Sequence, residues 1–251
     1  MPTFIHGKST GVFVDAYDLS TYFNSADYAS TIDTAEVTAF GSSAKSYITG
    51  LNDATLSLSG LYSQDAGGSD VALSTLLGQA SSPAVTVVYQ TGTIGNRCIV
   101  GQAHETSYSI SNPVADVSSV SADFNATAGA VTDQVYGIRG GVVLTTGASI
   151  LYSALGALAS VDNAASSAAG SLATLHVTTN SIAGGATTVL VQHSPDNSTW
   201  ATLITFTAVA AGATVGVSKA STGTVNRYVR VNASTAGSSG SITFNVGFAR
   251  N

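Results

Sequence analysis

Charge is what this chain has least of: only 9% of its 251 residues are Asp, Glu, Lys or Arg, including three lysines and two glutamates. Exposed helical faces are normally built from Lys and Glu, so an all-helical protein is not expected. Cysteine is nearly absent as well. Cys98 stands alone, which excludes an internal disulfide and an extracellular disulfide scaffold, and its place in the run from Arg97 to Val100 reads as a core thiol. Met1 to Lys8 contains no basic stretch followed by an apolar run, so no secretory signal is expected. Residues 140–161 carry no charge and are long enough to cross a bilayer. Thr145, Thr146, Gly147, Ser149, Ser153 and Gly156 dilute them, no basic cluster flanks them, and no membrane partner is expected.

Chemistry-bearing patterns are missing too. Zinc spacing, a phosphate-binding glycine loop and a serine nucleophile elbow do not occur, and Asp15/Asp18 and Asp27/Asp33 lack the Asp/Asn-Gly run of a calcium loop. His193, Ser194 and Asp196 share one tight turn, where adjacent residues cannot aim nucleophile, base and orienting acid at one point. His6 lies near the terminus, His104-Glu105 reads as surface hydrogen bonding at a strand end, and His176, alternating with threonines, reads as a polar surface residue. The sequons at Asn125, Asn197 and Asn232 are what a Ser/Thr-rich chain produces by chance. No enzyme, metal or cofactor is expected.

What charge there is falls unevenly. Twelve of fourteen carboxylates precede residue 140 while the eight basic residues divide four and four, giving −8 before that point and +2 after it. A field of that sign repels phosphate polymers, so the front half is not a nucleic-acid clamp. Two domains are expected, meeting near the glycines at 140.

Alternation dominates the rest. Ala54, Leu56 and Leu58 oppose Thr55, Ser57 and Ser59; Val85, Val87 and Tyr89 mark another strand, Tyr108 and Ile110 a third; Val120, Ala122 and Phe124 oppose Ser121, Asp123 and Asn125. A phase slip at Ser118 and Ser119 reads as a β-bulge. One short helix is expected, capped by Ser69, with Leu73, Leu76 and Leu77 as its stripe and Gly78 as its stop. Further on, Leu175 and Val177 mark a strand. Val189 and Val191 lead through Ser194-Pro-Asp-Asn-Ser to Trp200, Thr202, Ile204 and Phe206, and strands close the chain at residues 227–232 and 242–248. Between them, residues 142–144 read as strand, 150–158 as a short helix and 163–170 as loop. The back part is therefore a β-sandwich, Ig-like or jelly-roll.

From Asp18-Leu19-Ser20, through Tyr22 to Asp27, Thr38-Ala39-Phe40-Gly41, Lys45, Gly50-Leu51-Asn52-Asp53 and Leu58-Ser59-Gly60, the order of features resembles the major tail tube proteins of long-tailed bacteriophages. The short helix, the strand at 85–90 and the late strand ending toward Gly129 continue the likeness over residues 1–139. The segment 192–200 with Arg227 to Val231 is similar to β-sandwich domains that some of these proteins carry outside the tube. The resemblance implies a mainly β virion protein: a tail-tube-like β-sandwich or barrel over 1–139, a connection over 140–170, and a β-sandwich over 171–251 on the tube exterior. It implies self-assembly into stacked rings, usually of six, assembled in the host cytoplasm with other tail proteins, through which double-stranded DNA passes unbound. Asp116 and Asp123 are the candidate channel-facing carboxylates. Phe40, Gly41, Lys45, Gly50 and Asp53 belong to a candidate inter-ring loop, too long for a tight hairpin and expected to order only against the next ring. The back domain could touch a cell surface. Competing readings are a capsid decoration or head-to-tail completion protein and a carbohydrate-binding adhesive module, the latter disfavoured because Trp200, the sole tryptophan, reads as core.

Overall fold

The computed structural model describes residues 5–127 and 137–250, so Gly129 and Asp133 lie outside it. The chain is mainly β with one short helix. In order come β1 (Gly11–Val14), β2 (Tyr17–Asp18), β3 (Phe23–Glu36), β4 (Tyr47–Leu61), α1 (Ser69–Leu73), β5 (Ala84–Val88), β6 (Arg97–Ser111), β7 (Ser119–Ala126) and β8 (Ile138–Val143). The long β6 belongs to two sheets. Its first half pairs with β5 and β8, and its second half pairs with β7, which continues antiparallel to β4 and β3. Strands that turn a corner between sheets in this way let the two inner faces close on one core. Val12, Val14, Val85 and Val87 meet Leu56, Leu58, Val120, Ala122 and Phe124 there, while Ala72 and Leu73 of α1 pack against the same core. Burying a side chain as large as Phe124 contributes about 2–3 kcal/mol.

Two local expectations change. Ser118 lies outside a strand, since β7 begins at Ser119; the register slip sits on the partner strand, between Glu105 and Ser107. The helix is capped by Gly68 rather than Ser69, whose hydroxyl instead donates to the Leu61 carbonyl and so ties α1 to the end of β4. Leu73 is buried but Leu77 is not, because the helix ends after five residues and Gly78 takes a φ of 76°.

The remaining strands are β9 (Ser149–Leu151), β10 (Val161–Asp162), β11 (Ser171–Asn180), β12 (Thr187–Ser194), β13 (Ala201–Thr205), β14 (Val215–Ser221), β15 (Tyr228–Thr235) and β16 (Ser241–Arg250). Residues 150–158 are not a helix: β9 is followed by a single 3-10 turn, Tyr152–Ala154. One layer is β14-β11-β16 with β9 on the far end of β16, the other is β10-β15-β12-β13, and both are antiparallel. Leu175, Val177, Phe244, Val246 and Phe248 from the first layer meet Val189, Val191, Ile204, Val229 and Val231 from the second. The hairpin tip between β12 and β13 is fixed by Asp196, whose carboxylate accepts from the Ser198 and Thr199 amides and is held well below the ordinary aspartate range by them.

The two halves are welded rather than strung together. β8 pairs with β6 on one side and β16 on the other, so one sheet runs β14-β11-β16-β8-β6-β5-β1-β2. A third core fills the space between them, from Phe13, Val88, Cys98 and Val100 to Val143, Leu172 and Ala249. Burial pushes the Cys98 thiol up to about 12, which leaves it an inert core group.

At the centre of this joint His176 is fully buried, which corrects its reading as a surface residue. Its Nδ1 donates to the Asp15 carbonyl at 2.7 Å, and Nε2 meets the Thr86 hydroxyl at 2.8 Å, which in turn bonds Thr174 Oγ1 at 2.7 Å. Asp15 sits in a left-handed turn, φ 52°, and its carboxylate accepts from the Gly216 amide. A Cβ on Gly216 would lie 2.0 Å from the Asp15 carbonyl carbon, so the approach requires glycine.

Candidate functional site

The four-stranded sheet β3-β4-β7-β6 has one apolar and one polar face, because the two-residue strand period sorts its side chains. Tyr28, Leu56, Leu58, Val120, Ala122 and Phe124 turn to the core. The registers Asp27↔Ser57↔Asp123↔Ser107 and Ser25↔Ser59↔Ser121↔Ser109 lay out the other face, rung by rung. The next rung is Ala29↔Thr55↔Asn125↔His104, and two rungs from Ser57 toward the distal end Asp53 stands opposite Thr31. From Ser59 to Asp53 along β4 and across its neighbours, this face is serine, threonine and alanine with Asn125, His104 and three carboxylates, and no lysine or arginine.

Asp123 is the best-held of the three. Ser57 Oγ on β4 donates to it at 2.6 Å and Ser107 Oγ on β6 at 2.7 Å, and these two bonds hold its carboxyl below the ordinary aspartate value. Hydrogen bonds to the charged form favour ionisation, so the arrangement keeps a negative charge in the middle of the face. Ser25 Oγ donates to Asp27 at 2.6 Å, and Ser109 and Ser121 bond each other at 2.8 Å. Short hydroxyl side chains tied to each other and to carboxylates make a smooth, hydrated, anionic wall.

Of the two candidate carboxylates, Asp123 lies on this wall, on the polar face that the alternation of β7 predicts. Asp116 does not: it is exposed in the 112–118 connection at one end of the sheet, where its carboxylate accepts from the Val117 amide. Asp27 and Asp53 share the wall and were not among the expected channel residues. The signal for Asp53 was its even spacing from Thr55 and Ser57; Asp27 had none, because Phe23 to Glu36 does not alternate in hydrophobicity.

At the far end of the sheet β3 and β4 continue beyond their neighbours as a two-stranded arm. The expected inter-ring loop spans part of it, with a correction: Gly50 and Asp53 are on β4, and the arm is already paired within one chain, Glu36↔Tyr47 to Thr34↔Thr49. Only residues 37–46 form the connection, with Phe40 fully exposed, Gly41 at φ 91° and Lys45 bridging to Glu36 at 3.0 Å. Ile32, Tyr47, Ile48 and Leu51 are exposed along the arm, Leu51 by 80%. At the opposite end of the same sheet Leu61, Ile110, Val114 and Val117 are exposed. Apolar side chains concentrated at both ends of one sheet are the mark of contact surfaces.

On the core side, Glu105 is 4% exposed opposite Phe124, and neither carboxylate oxygen has a partner among the described residues. Nearby, the Tyr108 hydroxyl donates to Asp70 Oδ1 and Tyr62 reaches Oδ2. Burial pushes Glu105 up to about 7. Below the ordinary 4.5 both folded and unfolded chains hold this proton and the residue costs nothing. As pH rises from 4.5 to 7 the unfolded chain releases it first, and stability falls by about 2–3 kcal/mol before levelling. Glu105→Gln should remove that fall, seen as a denaturant midpoint close to wild type at pH 4.5 and above it at pH 7.5.

Among the described residues no group of three His, Cys, Asp or Glu could hold a metal ion. Ser194 Oγ donates to Asp196 at 2.9 Å, while His193 Nδ1 accepts from the Asn226 amide at 3.2 Å, so the three do not form a relay. His104 Nε2 lies 3.1 Å from Ser82 Oγ. Among the described residues no helix is long and apolar enough to cross a membrane.

No family model and no curated protein matches the sequence. By structure the chain is similar to a chain of the virion of a native gene transfer agent particle, with 18% identity and a TM-score of 0.41 over 50% of this chain and 95% of that one. A chain from the tail of an empty particle of the same agent, with C6 symmetry, gives 18% and 0.40 over the same shares. The SPP1 Dit protein, described as a paradigm of hub adsorption apparatus in Gram-positive infecting phages, gives 11% and 0.32 over 90% of this chain and 98% of that one.

Proposed function

We propose that the chain is the repeating subunit of a bacteriophage tail tube, joining copies of itself into stacked, six-membered rings that conduct double-stranded DNA. The observation that carries this reading is the wall of Asp27, Asp53 and Asp123 among small hydroxyl side chains, with no lysine or arginine on it. Duplex DNA carries one negative charge per roughly 1.7 Å of axis, so a basic lining would hold it and an anionic, hydroxylated lining lets it slide. A decoration protein or adhesive module has no use for such a wall. Lateral closure uses the side of β3 that no described strand covers, beside a groove lined by His6, Lys8, Val12, Phe23 and Tyr89. Axial contact uses the arm, with the exposed apolar end of the same sheet as its receiver in the next ring, a heterologous contact that repeats without closing.

In this assembly residues 1–139 make the tube and 171–251 stand outside it, held at a fixed angle by the sheet that runs through β8. The protein is then a virion tail component, put together in the host cytoplasm beside other tail proteins. Electron microscopy of the purified protein tests this directly. Stacked rings with a hole about as wide as duplex DNA are expected, and monodisperse monomers at every concentration would sink the reading.

The arm has its own test. Ile48→Asp with Leu51→Asp places two charges where apolar contact is needed, on residues already exposed in the single chain. Folding should be unchanged, with the melting temperature within a few degrees of wild type. Stacking should be lost, so that sedimentation finds single rings or subunits; tubes of wild-type length would assign axial contact elsewhere.

A further inference from the structure

The outward face of the β10-β15-β12-β13 sheet carries an arrangement that the tube does not use. Val229, Val231 and Ala233 of β15 are buried, so Tyr228, Arg230 and Asn232 face out. Gln192 stands directly opposite Arg230, and Thr202 opposite Gln192. The Arg230 guanidinium lies 4.0 Å from the centroid of the half-buried Trp200 ring, and its Nε donates to Gln192 Oε1 at 3.0 Å. Trp200 is therefore not a simple core residue: it is the bed of a cation.

The other cations of this half are committed. Arg227 forms a paired bridge to Asp162, at 2.7 and 2.6 Å; Arg250 donates to the carbonyls of Ala165, Asn226 and Arg227; Lys219 Nζ donates to the Thr205 carbonyl at 2.8 Å. Arg230 differs. Its Nε alone is bonded among the described residues, and neither carboxylate of this half reaches it: Asp162 is taken by Arg227, and Asp196 by the hairpin tip. Stacking and the Gln192 bond fix the plane of the guanidinium, which leaves its two terminal amino groups as a pre-aimed fork for a carboxylate or phosphate.

We propose that this face binds an anionic glycan, with Arg230 taking the acidic group of one sugar. A sugar offers what the surrounding residues accept: a flat C–H face for the stacked Arg–Trp plane, and hydroxyls for Gln192, Asn232 and Thr202. Uronic acid polymers and sugar-phosphate polymers share the needed chemistry, a sugar ring that carries a carboxylate or a phosphate. The inference stands on this sheet alone and does not depend on ring formation.

Calorimetric titration of the full chain with oligogalacturonate, a phosphorylated mannan oligomer, a neutral galactan oligomer and a DNA duplex tests it. Binding of either acidic glycan, with none of the neutral one, is expected, and which of the two binds names the acidic group. Arg230→Gln should weaken that binding by about tenfold or more, the value of a paired charge-assisted contact. Arg230→Lys should lose most of it as well, since an ammonium cannot give paired donors. Thr202→Glu puts a carboxylate beside the fork at an exposed position without touching the stack, and should have the same effect. Absence of binding by the wild type, equal binding of the neutral oligomer, equal binding of the DNA duplex, or unchanged affinity in Arg230→Gln would each overturn the proposal.

Discussion

His176→Ala is expected to lower stability by about 3–4 kcal/mol, the largest effect of any single substitution at the joint. Three losses combine. The ring leaves a void at a position with no solvent access, the Asp15 carbonyl loses its donor, and Thr86 keeps only Thr174 as a partner. Denaturant unfolding at pH 7.5 measures the sum. A value under about 1 kcal/mol, which is typical of a surface substitution, would mean that the two halves do not meet there in solution. Gly216→Ala attacks the same joint from the other side, pushing a methyl into the Asp15 backbone, and should lower stability without altering any hydrogen-bonding group.

The pH dependence of these variants separates two opposed groups. Burial pushes His176 down to about 4 from its ordinary 6.5. Above 6.5 both folded and unfolded chains hold it neutral and its stabilising contacts are intact; as pH falls toward 4 the unfolded chain takes up a proton that the folded chain refuses, costing about 3 kcal/mol. Glu105 acts with the other sign over 4.5 to 7. In the wild type the two nearly offset between about 4.5 and 6.5. His176→Ala should therefore grow more stable on acidification through that window, and Glu105→Gln less stable. Parallel curves for all three proteins would show that neither group is buried as described.

Legibility followed amphipathicity. β4 and β7 were readable because one side of each meets a core and the other meets water, so Leu56 and Phe124 alternate with Ser57 and Asp123. β3 was not, because its distal half is exposed on both sides and its sequence has no face to declare. β11 misled for the opposite reason. Thr174 and His176 look solvent-facing, yet that face meets the first half, where Thr86, the one hydroxyl in the apolar run Ala84–Val88, supplies the partner. Polar residues on a doubly covered strand need polar residues on the strand they meet, and pairing Thr86 with His176 across ninety positions was not visible from either segment alone. The acidic excess of the front half was legible as a total. That three of its twelve carboxylates share one wall depended on register, which a sequence read strand by strand does not supply.

That wall makes the second large prediction. Replacing Asp27, Asp53 and Asp123 together by Lys changes the charge of each subunit's face by six and, in the proposed ring of six copies, would turn a repelling lining into a capturing one. Each position is exposed, so the fold should survive; the cost falls on Asp123, whose Ser57 and Ser107 donors would lose their acceptor. Wild-type tubes should show no retention of a DNA duplex at any salt concentration. The triple variant should retain it at low salt and release it steeply as salt rises, because each phosphate neutralised by a lysine contributes about 0.9 to the slope of log K against log salt. Asp→Asn at the same three positions should fall between, losing the repulsion without gaining an attraction. If the lysine variant assembles into tubes that ignore DNA, these carboxylates point away from the bore. The acidic wall would then serve solubility or lateral contact instead, and some other face of the same ring would have to be the lining.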